Sequence, residues 1–336
     1  MLILSEKDLR EVLSMREVID AVEIGFRALA QGDVVAPERL RLDIPGSSGV
    51  LLEMPACARV LRRLGAGESN VERGALGTKI VSVFEANAEK NLDVVQAVYL
   101  LLDHSTGVPG ALIEGRFITG IRTAATSAVA TRHVASRGPK RLAIFGAGVQ
   151  ARFHIEAMAE VVPVTRIMIC SRTRRRAKAL AEHTRARHGV PCEVVSADEA
   201  AAEADLICTC TTAAAPLFDG ALLKPGTHIN AVGAFTPWTR ELDTEAVRRS
   251  RVIIDAESAA GREAGDVLIP ISEGAIGSDH IKGALADVVS GKVKGRESAE
   301  DITIFKSCGL AIEDLVTAQL ACVNAIARNV GQRVDL

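Results

Sequence analysis

The sequence predicts an α/β protein: a Rossmann-type doubly wound parallel sheet set into the middle of a discontinuous α+β domain. Three observations predict it. From about residue 119, short β-forming runs alternate with helical periodicities, the rhythm of a parallel sheet with crossover helices. One of those strand-to-helix junctions reads Gly146-Ala147-Gly148-Val149-Gln150-Ala151, directly after a run of β-formers. Before residue 119 the rhythm is different, and near the end one long apolar helix is left over to pack back on that first region. The expected domains are therefore 1–118 plus 305–336 and, between them, 119–304. A chain of 336 residues is long enough for two cores.

In chain order, residues 15–30 carry apolar side chains at helical spacing and stop at Gln31-Gly32. Runs at 39–44, 50–54, 75–84, 96–102 and 111–114 read as strands of an antiparallel α+β pattern, with 45–49 and 103–107 as hairpin connections. Residues 65–74 are polar and Gly-rich, which predicts a mobile surface loop. A helix is expected over 119–136 with Thr119 as its N-cap. Strands are expected at 141–145, 166–170, 192–195, 205–209, 227–232 and 251–255, with helices at 149–161, 174–188 and 243–250 between them. A strand at 302–306 and a helix at 310–329 complete the chain.

Composition narrows the function. With 48% apolar and 24% charged residues the chain sits among soluble globular proteins, and a net charge of −2 gives no field to draw in nucleic acid or an anionic membrane. The longest apolar runs are strand-length, too short for a membrane span, and acidic residues in the first ten positions exclude a signal or transit peptide; cytosol is the expectation. The seven cysteines are scattered without Cys-x-x-Cys, and the seven histidines lack metal-binding spacing, so no metal site is expected.

The glycine loop has a mechanism behind it. Gly146 permits the tight turn, Gly148 removes a side chain where a pyrophosphate must approach, and Ala151 lets helix and strand pack closely. The free N–H groups of the helix start face the phosphates. At the end of the second strand a carboxylate selects NAD by binding both ribose hydroxyls. Here the chain has Ser171-Arg172-Thr173. A guanidinium forks onto a 2′-phosphate and hydroxyls add donors, so NADP(H) is favoured, with NAD(H) possible. Arginines 174–176 would oppose the helix dipole unless an anion resides there. The candidate cofactor contacts are Gly146, Ala147, Gly148, Val149, Gln150, Ser171, Arg172, Thr173, Thr211, Val232 and Gly233.

Motifs spread over nearly the whole chain carry a resemblance. They are Leu52-Glu-Met54-Pro-Ala, Gly77-Thr-Lys79-Ile-Val-Ser-Val, Ile118-Thr-Gly-Ile-Arg122-Thr-Ala-Ala and the glycine loop, then Ile229-Asn-Ala-Val232-Gly233, Glu263-Ala-Gly-Asp-Val-Leu-Ile-Pro270 and Asp301-Ile-Thr-Ile-Phe-Lys-Ser-Cys308-Gly309. Together they resemble the ornithine cyclodeaminase/mu-crystallin family. The resemblance implies a homodimer formed through the N-terminal α+β domain, a substrate cleft beside the Rossmann domain, and a small imino or amino acid as substrate. It also implies that Arg41, Lys79 and Arg122 hold a substrate carboxylate. The residues agree: each cation sits in an otherwise apolar run and needs an anion if buried. Met54, Phe235, Cys308 and Gly309 complete the candidate substrate set, with Lys79 and Arg122 as the catalytic candidates.

One departure separates activities within the resemblance. Members that cyclise ornithine carry an acid after Val-Gly-Gly, and the matching stretch Val232-Gly233-Ala234 is followed here by Phe235. A phenyl ring can neither take a proton nor bind an ammonium by charge, a loss on the order of 10²–10⁴-fold for such a step. Phe235 and Arg172 thus favour NADPH-dependent reduction of a cyclic ketimine carboxylate, Δ1-pyrroline-2-carboxylate or Δ1-piperideine-2-carboxylate. The alternatives are an ornithine cyclodeaminase, an alanine-type amino-acid dehydrogenase, and a non-catalytic NADPH-dependent carrier of the kind mu-crystallin represents. A carrier has no need of a cation clamp.

Overall fold

The computed structural model describes residues 1–47, 49–61 and 73–335. The loop expected over 65–74 lies outside these, apart from residues 73 and 74, which open a strand. The chain divides into two compact units, Met1–Arg122 with Leu310–Leu336, and Thr123–Gly309. Both divisions come a few residues later than the sequence suggests.

The first unit opens with β1 (Leu2–Leu4), α1 (Glu6–Val12) and α2 (Met15–Ala30). Ser5 and Ser14 each form a capping box with the acid three residues on, which fixes both helix starts. Strands β2 (Val34–Val35), β3 (Leu40–Asp43), β4 (Val50–Leu61), β5 (Arg73–Val83), β6 (Val95–Leu102) and β7 (Pro109–Glu114) follow. They form one mixed sheet with β1 and the late strand β16 (Gln332–Arg333), in the order β16-β1-β7-β6-β5-β4-β2, β3 also pairing with β4. Strand β4 runs well past the expected end at residue 54. Pro55 signals a stop, yet it falls between the stretch of β4 paired with β3 and the stretch paired with β2, where that edge has no ladder to lose.

Alternation sorts the sheet's two faces. Met54, Lys79 and Tyr99 stand opposite one another on the face covered by the final helix. Leu40, Glu53, Ile80 and Val98 make the neighbouring row on the other face. There Leu40, Leu42, Ile80 and Val98 are exposed.

Helix α3 (Gly115–Val134) begins four residues before the expected start. Its cap is the carboxylate of Glu114, which accepts from the N–H of Arg116 and Phe117. Thr119 is inside the helix, donating its hydroxyl to the Gly115 carbonyl, and is not the cap. A glutamate is a weak cap signal, which is why the sequence pointed to the threonine.

The second unit carries β8 (Lys140–Phe145), α4 (Val149–Val161), β9 (Val164–Cys170), α5 (Arg174–His188), β10 (Cys192–Val194), α6 (Ala197–Glu203), β11 (Leu206–Thr209) and β12 (His228–Ala231). It continues with α7 (Thr244–Arg248), β13 (Ser250–Ile254), α8 (Glu257–Glu263), α9 (Gly265–Ser272), β14 (Ile281–Ala284), α10 (Leu285–Val289) and β15 (Ile302–Lys306). All strand pairs are parallel, in the order β10-β9-β8-β11-β12-β15-β13-β14. The chain winds outward from β8 to β10 and then restarts at β11 on the other side of β8. That reversal makes a crevice at the carboxyl ends of β8 and β11, where open α/β sheets bind ligands. The last helix, α11 (Ala311–Arg328), returns to the first unit and packs on β4, β5, β6 and α2. Among the described residues no helix is long and apolar enough to cross a membrane.

Candidate functional site

In the second unit, a cavity of about 360 Å³ opens at the predicted crevice. Its floor is the glycine loop between β8 and α4. Gly146 has φ +119°, and a Cβ there would lie 2.5 Å from the Cys210 carbonyl oxygen, so only glycine lets the turn pass this close to the next strand. Gly148 caps α4 without any side-chain hydrogen bond, leaving the helix's first N–H groups for a ligand. One end of the cavity is lined by Ser171, Arg172, Thr173 and Arg176, the other by Cys210, Thr211, Thr212 and Ala213. The first turn of α5 holds no acid, and Thr173 makes no cap bond. This combination of a glycine cradle, free N–H groups and guanidinium groups fits a dinucleotide.

Four of the proposed cofactor contacts do not line this cavity. Val149 projects from the start of α4 and is 64% exposed, and Gln150 gives its carbonyl to His154 Nδ1 at 2.8 Å. Val232 is buried, while the Gly233 N–H donates to Glu241 at 2.7 Å. Arg176, one of the three arginines expected to face an anion at this helix start, also lines it.

The first unit gathers the cations. Lys79 on β5 and Arg122 in the second turn of α3 are buried. Both reach the first turn of α11: Lys79 Nζ donates to Asp314 Oδ2 at 2.7 Å, Arg122 Nε to Asp314 Oδ1 at 2.9 Å, and Arg122 Nη1 to Glu313 Oε2 at 2.6 Å. Carboxylates in a first helical turn also gain from the helix dipole. Burial, the neighbouring Arg122 charge and the more distant Arg39 charge lower the Lys79 pKa to about 8 against the opposing pull of Asp314. Burial works against the Arg122 cation too, but Asp314 and Glu313 overcome it and raise its pKa. Burial and the Asp314 charge raise that of Tyr99, opposite Lys79, whose hydroxyl has no hydrogen-bond partner.

Two expectations about this cluster are corrected. Arg41 is not part of it; it is exposed on β3 and pairs with Asp43 at 2.7 Å. The arginine whose charge reaches Lys79 is Arg39, two residues earlier. A two-residue shift preserves strand parity, so alternation could not choose between them. Nor do the buried cations wait for a substrate to neutralise them, since Glu313 and Asp314 already do so. The signal was two adjacent acids opening an apolar helix. Met54 stands buried beside Lys79, as its register requires.

Phe235 lies in the loop after β12 in the second unit and is 47% exposed, close to Trp238 at 70%. The buried carboxylates of Glu241 and, hydrogen-bonded to its backbone, Asp266 are already engaged. Glu241 accepts from Thr209, Thr211 and Gly233, and Asp266 accepts from the N–H of Glu241 and Leu242. Burial and the Asp266 charge raise the Glu241 pKa against the pull of its donors. Cys308 and Gly309 present their N–H groups to the buried carboxylate of Asp255, so their backbone is fixed from within the unit. Among the described residues no group of three or more metal-ligating side chains occurs.

A model of the ornithine cyclodeaminase/mu-crystallin family matches residues 1–329. A Δ1-pyrroline-2-carboxylate reductase of Bacillus cereus is 36% identical over 337 residues, covering all of both chains. The solved Δ1-pyrroline-2-carboxylate reductase of Thermococcus litoralis, in complex with NADH and L-proline, superposes with a TM-score of 0.92 at 40% identity, covering 99% of this chain and 100% of that one. An archaeal alanine dehydrogenase dimer with bound NAD gives a TM-score of 0.90 at 30% identity, over 100% and 99% of the two chains.

Proposed function

The chain belongs to the ornithine cyclodeaminase/mu-crystallin family, and on that premise we propose that it is a nicotinamide-dependent oxidoreductase acting on a C=N bond. It reduces a cyclic ketimine carboxylate, Δ1-pyrroline-2-carboxylate or its six-membered homologue, to the cyclic L-amino acid, with NADPH as donor. The chemistry supplied by the bound reduced nicotinamide is hydride donation.

The observation that carries the choice of reaction is the set of groups around Phe235. The resemblance puts Phe235 where deaminating members of the family carry an acid. The neighbouring acids Glu241 and Asp266 are buried and committed to hydrogen bonds, leaving neither to bind an amine. Lys79 supplies the proton for the imine nitrogen. Its pKa of about 8 keeps it protonated at neutral pH yet close enough to donate efficiently. Arg122 stays charged throughout and holds carboxylate groups by its planar fork.

Arg172 and Arg176 support NADPH. The second reading, NADH, is favoured by the complex of the Thermococcus relative. The deciding experiment measures NADPH and NADH oxidation against pyrroline- and piperideine-2-carboxylate, with ornithine plus NAD as contrast. Turnover of a ketimine without ammonia release from ornithine supports the reading. Ammonia release from ornithine at a comparable rate overturns it, and NADPH binding with no ketimine turnover indicates a carrier.

We also propose a homodimer through the first unit. Strand β3 is exposed on both faces, and Leu40, Leu42, Ile80 and Val98 leave an apolar face that a second copy can cover. The alanine dehydrogenase relative is a dimer. Sedimentation as a monomer at micromolar concentration overturns this.

A further inference from the structure

Beneath the loop that carries Phe235 lies a closed circuit of buried polar groups with no part in the reaction as described. Glu241, fully buried, accepts four hydrogen bonds. Oε1 takes the Thr211 N–H at 2.8 Å and the Thr211 hydroxyl at 2.7 Å; Oε2 takes the Gly233 N–H at 2.7 Å and the Thr209 hydroxyl at 2.7 Å. The fit against Gly233 leaves no space: a Cβ there would lie 2.1 Å from the Thr211 carbonyl oxygen and 2.5 Å from Glu241 Oε1. Glu241 is held in turn. Its own N–H and that of Leu242 donate to Asp266 Oδ1 at 2.7 and 2.9 Å, and Asp266 Oδ2 takes Lys306 Nζ at 2.8 Å. Lys306 Nζ also donates to the Ala234 carbonyl, which returns the circuit to the residue after Gly233. The segment from Gly233 to Glu241, with Phe235 in it, is therefore clamped at both ends.

The other arm of Glu241 reaches the cofactor cavity. Thr211 lines the end farthest, across the glycine loop, from Arg172 and Arg176. If the arginines take the adenosine end, Thr211 faces the nicotinamide half. We infer that Glu241 is a positioning residue whose carboxylate sets the Thr211 edge and the Phe235 loop in one register for the nicotinamide half of the dinucleotide. This rests on the dinucleotide reading above. A carboxylate is required because all four partners are donors. Glutamine offers one acceptor oxygen, and its NH₂ group would face the N–H of Thr211 or Gly233.

The test compares two ligands on wild type and Glu241→Gln: NADPH by fluorescence titration, and 2′,5′-ADP, which lacks the nicotinamide half, by calorimetry. Losing two charge-assisted bonds to the positioned edge should weaken NADPH roughly tenfold or more, while 2′,5′-ADP stays within about twofold. Equal weakening of both, or of neither, overturns the inference. Should Glu241→Gln fail to fold, Thr211→Val removes one of the same four bonds at the cavity wall. NADPH should then weaken roughly threefold or more with 2′,5′-ADP unchanged, and unchanged NADPH binding overturns the inference. Wild type that binds neither ligand, nor NADH, breaks the dinucleotide reading itself, a result distinct from either variant's.

Discussion

Each unit hides carboxylates, and the two neutralise them by opposite means. In the first unit, Glu313 and Asp314 are met by the side-chain cations Arg122 and Lys79. In the second, Glu241 and Asp255 are met mainly by backbone N–H and hydroxyl donors, and the buried Lys306 pairs with Asp266. Charge against charge makes a cluster in which removing one member strands another. Charge against dipoles makes one in which the shape of the loop is what the carboxylate holds. The first arrangement yields a lysine of shifted acidity, suited to moving protons. The second yields fixed backbone, suited to placing a ligand.

The sharpest way to break this contrast is Asp314→Ala. It removes the carboxylate that Lys79 and Arg122 share, and should cost about 3–5 kcal/mol of unfolding free energy by denaturant titration. A loss below about 1 kcal/mol would show that the cluster is not charge-closed. Lys79→Met should lower ketimine turnover on the order of 10²–10⁴-fold while NADPH titration is unchanged, because Lys79 belongs to the other unit from the cavity. Loss of NADPH binding along with activity would contradict that division. Arg172→Ala should raise the NADPH KM by roughly ten- to hundredfold and leave NADH nearly untouched; equal losses would make Arg172 structural.

The pH profile offers a smaller test. Lys79 holds its proton below about pH 8 and loses it above, so turnover that needs a protonated donor should fall above about pH 8, roughly tenfold per unit. A flat profile to pH 10 would remove Lys79 as donor. Phe235→Asp should give the mildest effect, a severalfold drop in ketimine turnover, since the residue is half exposed and can hydrate a new charge. No change would detach Phe235 from the choice of substrate.

The second unit was the more legible of the two in the sequence. Parallel strands alternate with helices in local units, and the bounds of α4, α5 and β15 follow directly from periodicity and turn residues. What stayed hidden was short or long-range. Helices α6 and α9 fell below the length at which periodicity speaks. Arg122 and Lys79 were visible as buried cations, but their partners lie 191 and 235 residues away, beyond any local pattern. Arg39 was hidden by parity, and Glu241 by looking like an ordinary surface acid between Arg240 and Leu242.

That long separation has a consequence for how the protein is made. The second unit is one continuous stretch and can fold as soon as Gly309 clears the ribosome. The first unit cannot close as early: its sheet still lacks β16, and Asp314, the buried counter-ion of Lys79, is made 235 residues after that lysine. At about 5–20 residues per second, the strand bearing Lys79 waits roughly 12–50 s for Asp314. Through that interval the face of the sheet that α11 will cover, Lys79 included, stays open to solvent and other nascent chains. Truncated products ending before Leu310 should therefore accumulate as a folded second unit attached to an unfolded, protease-sensitive first unit.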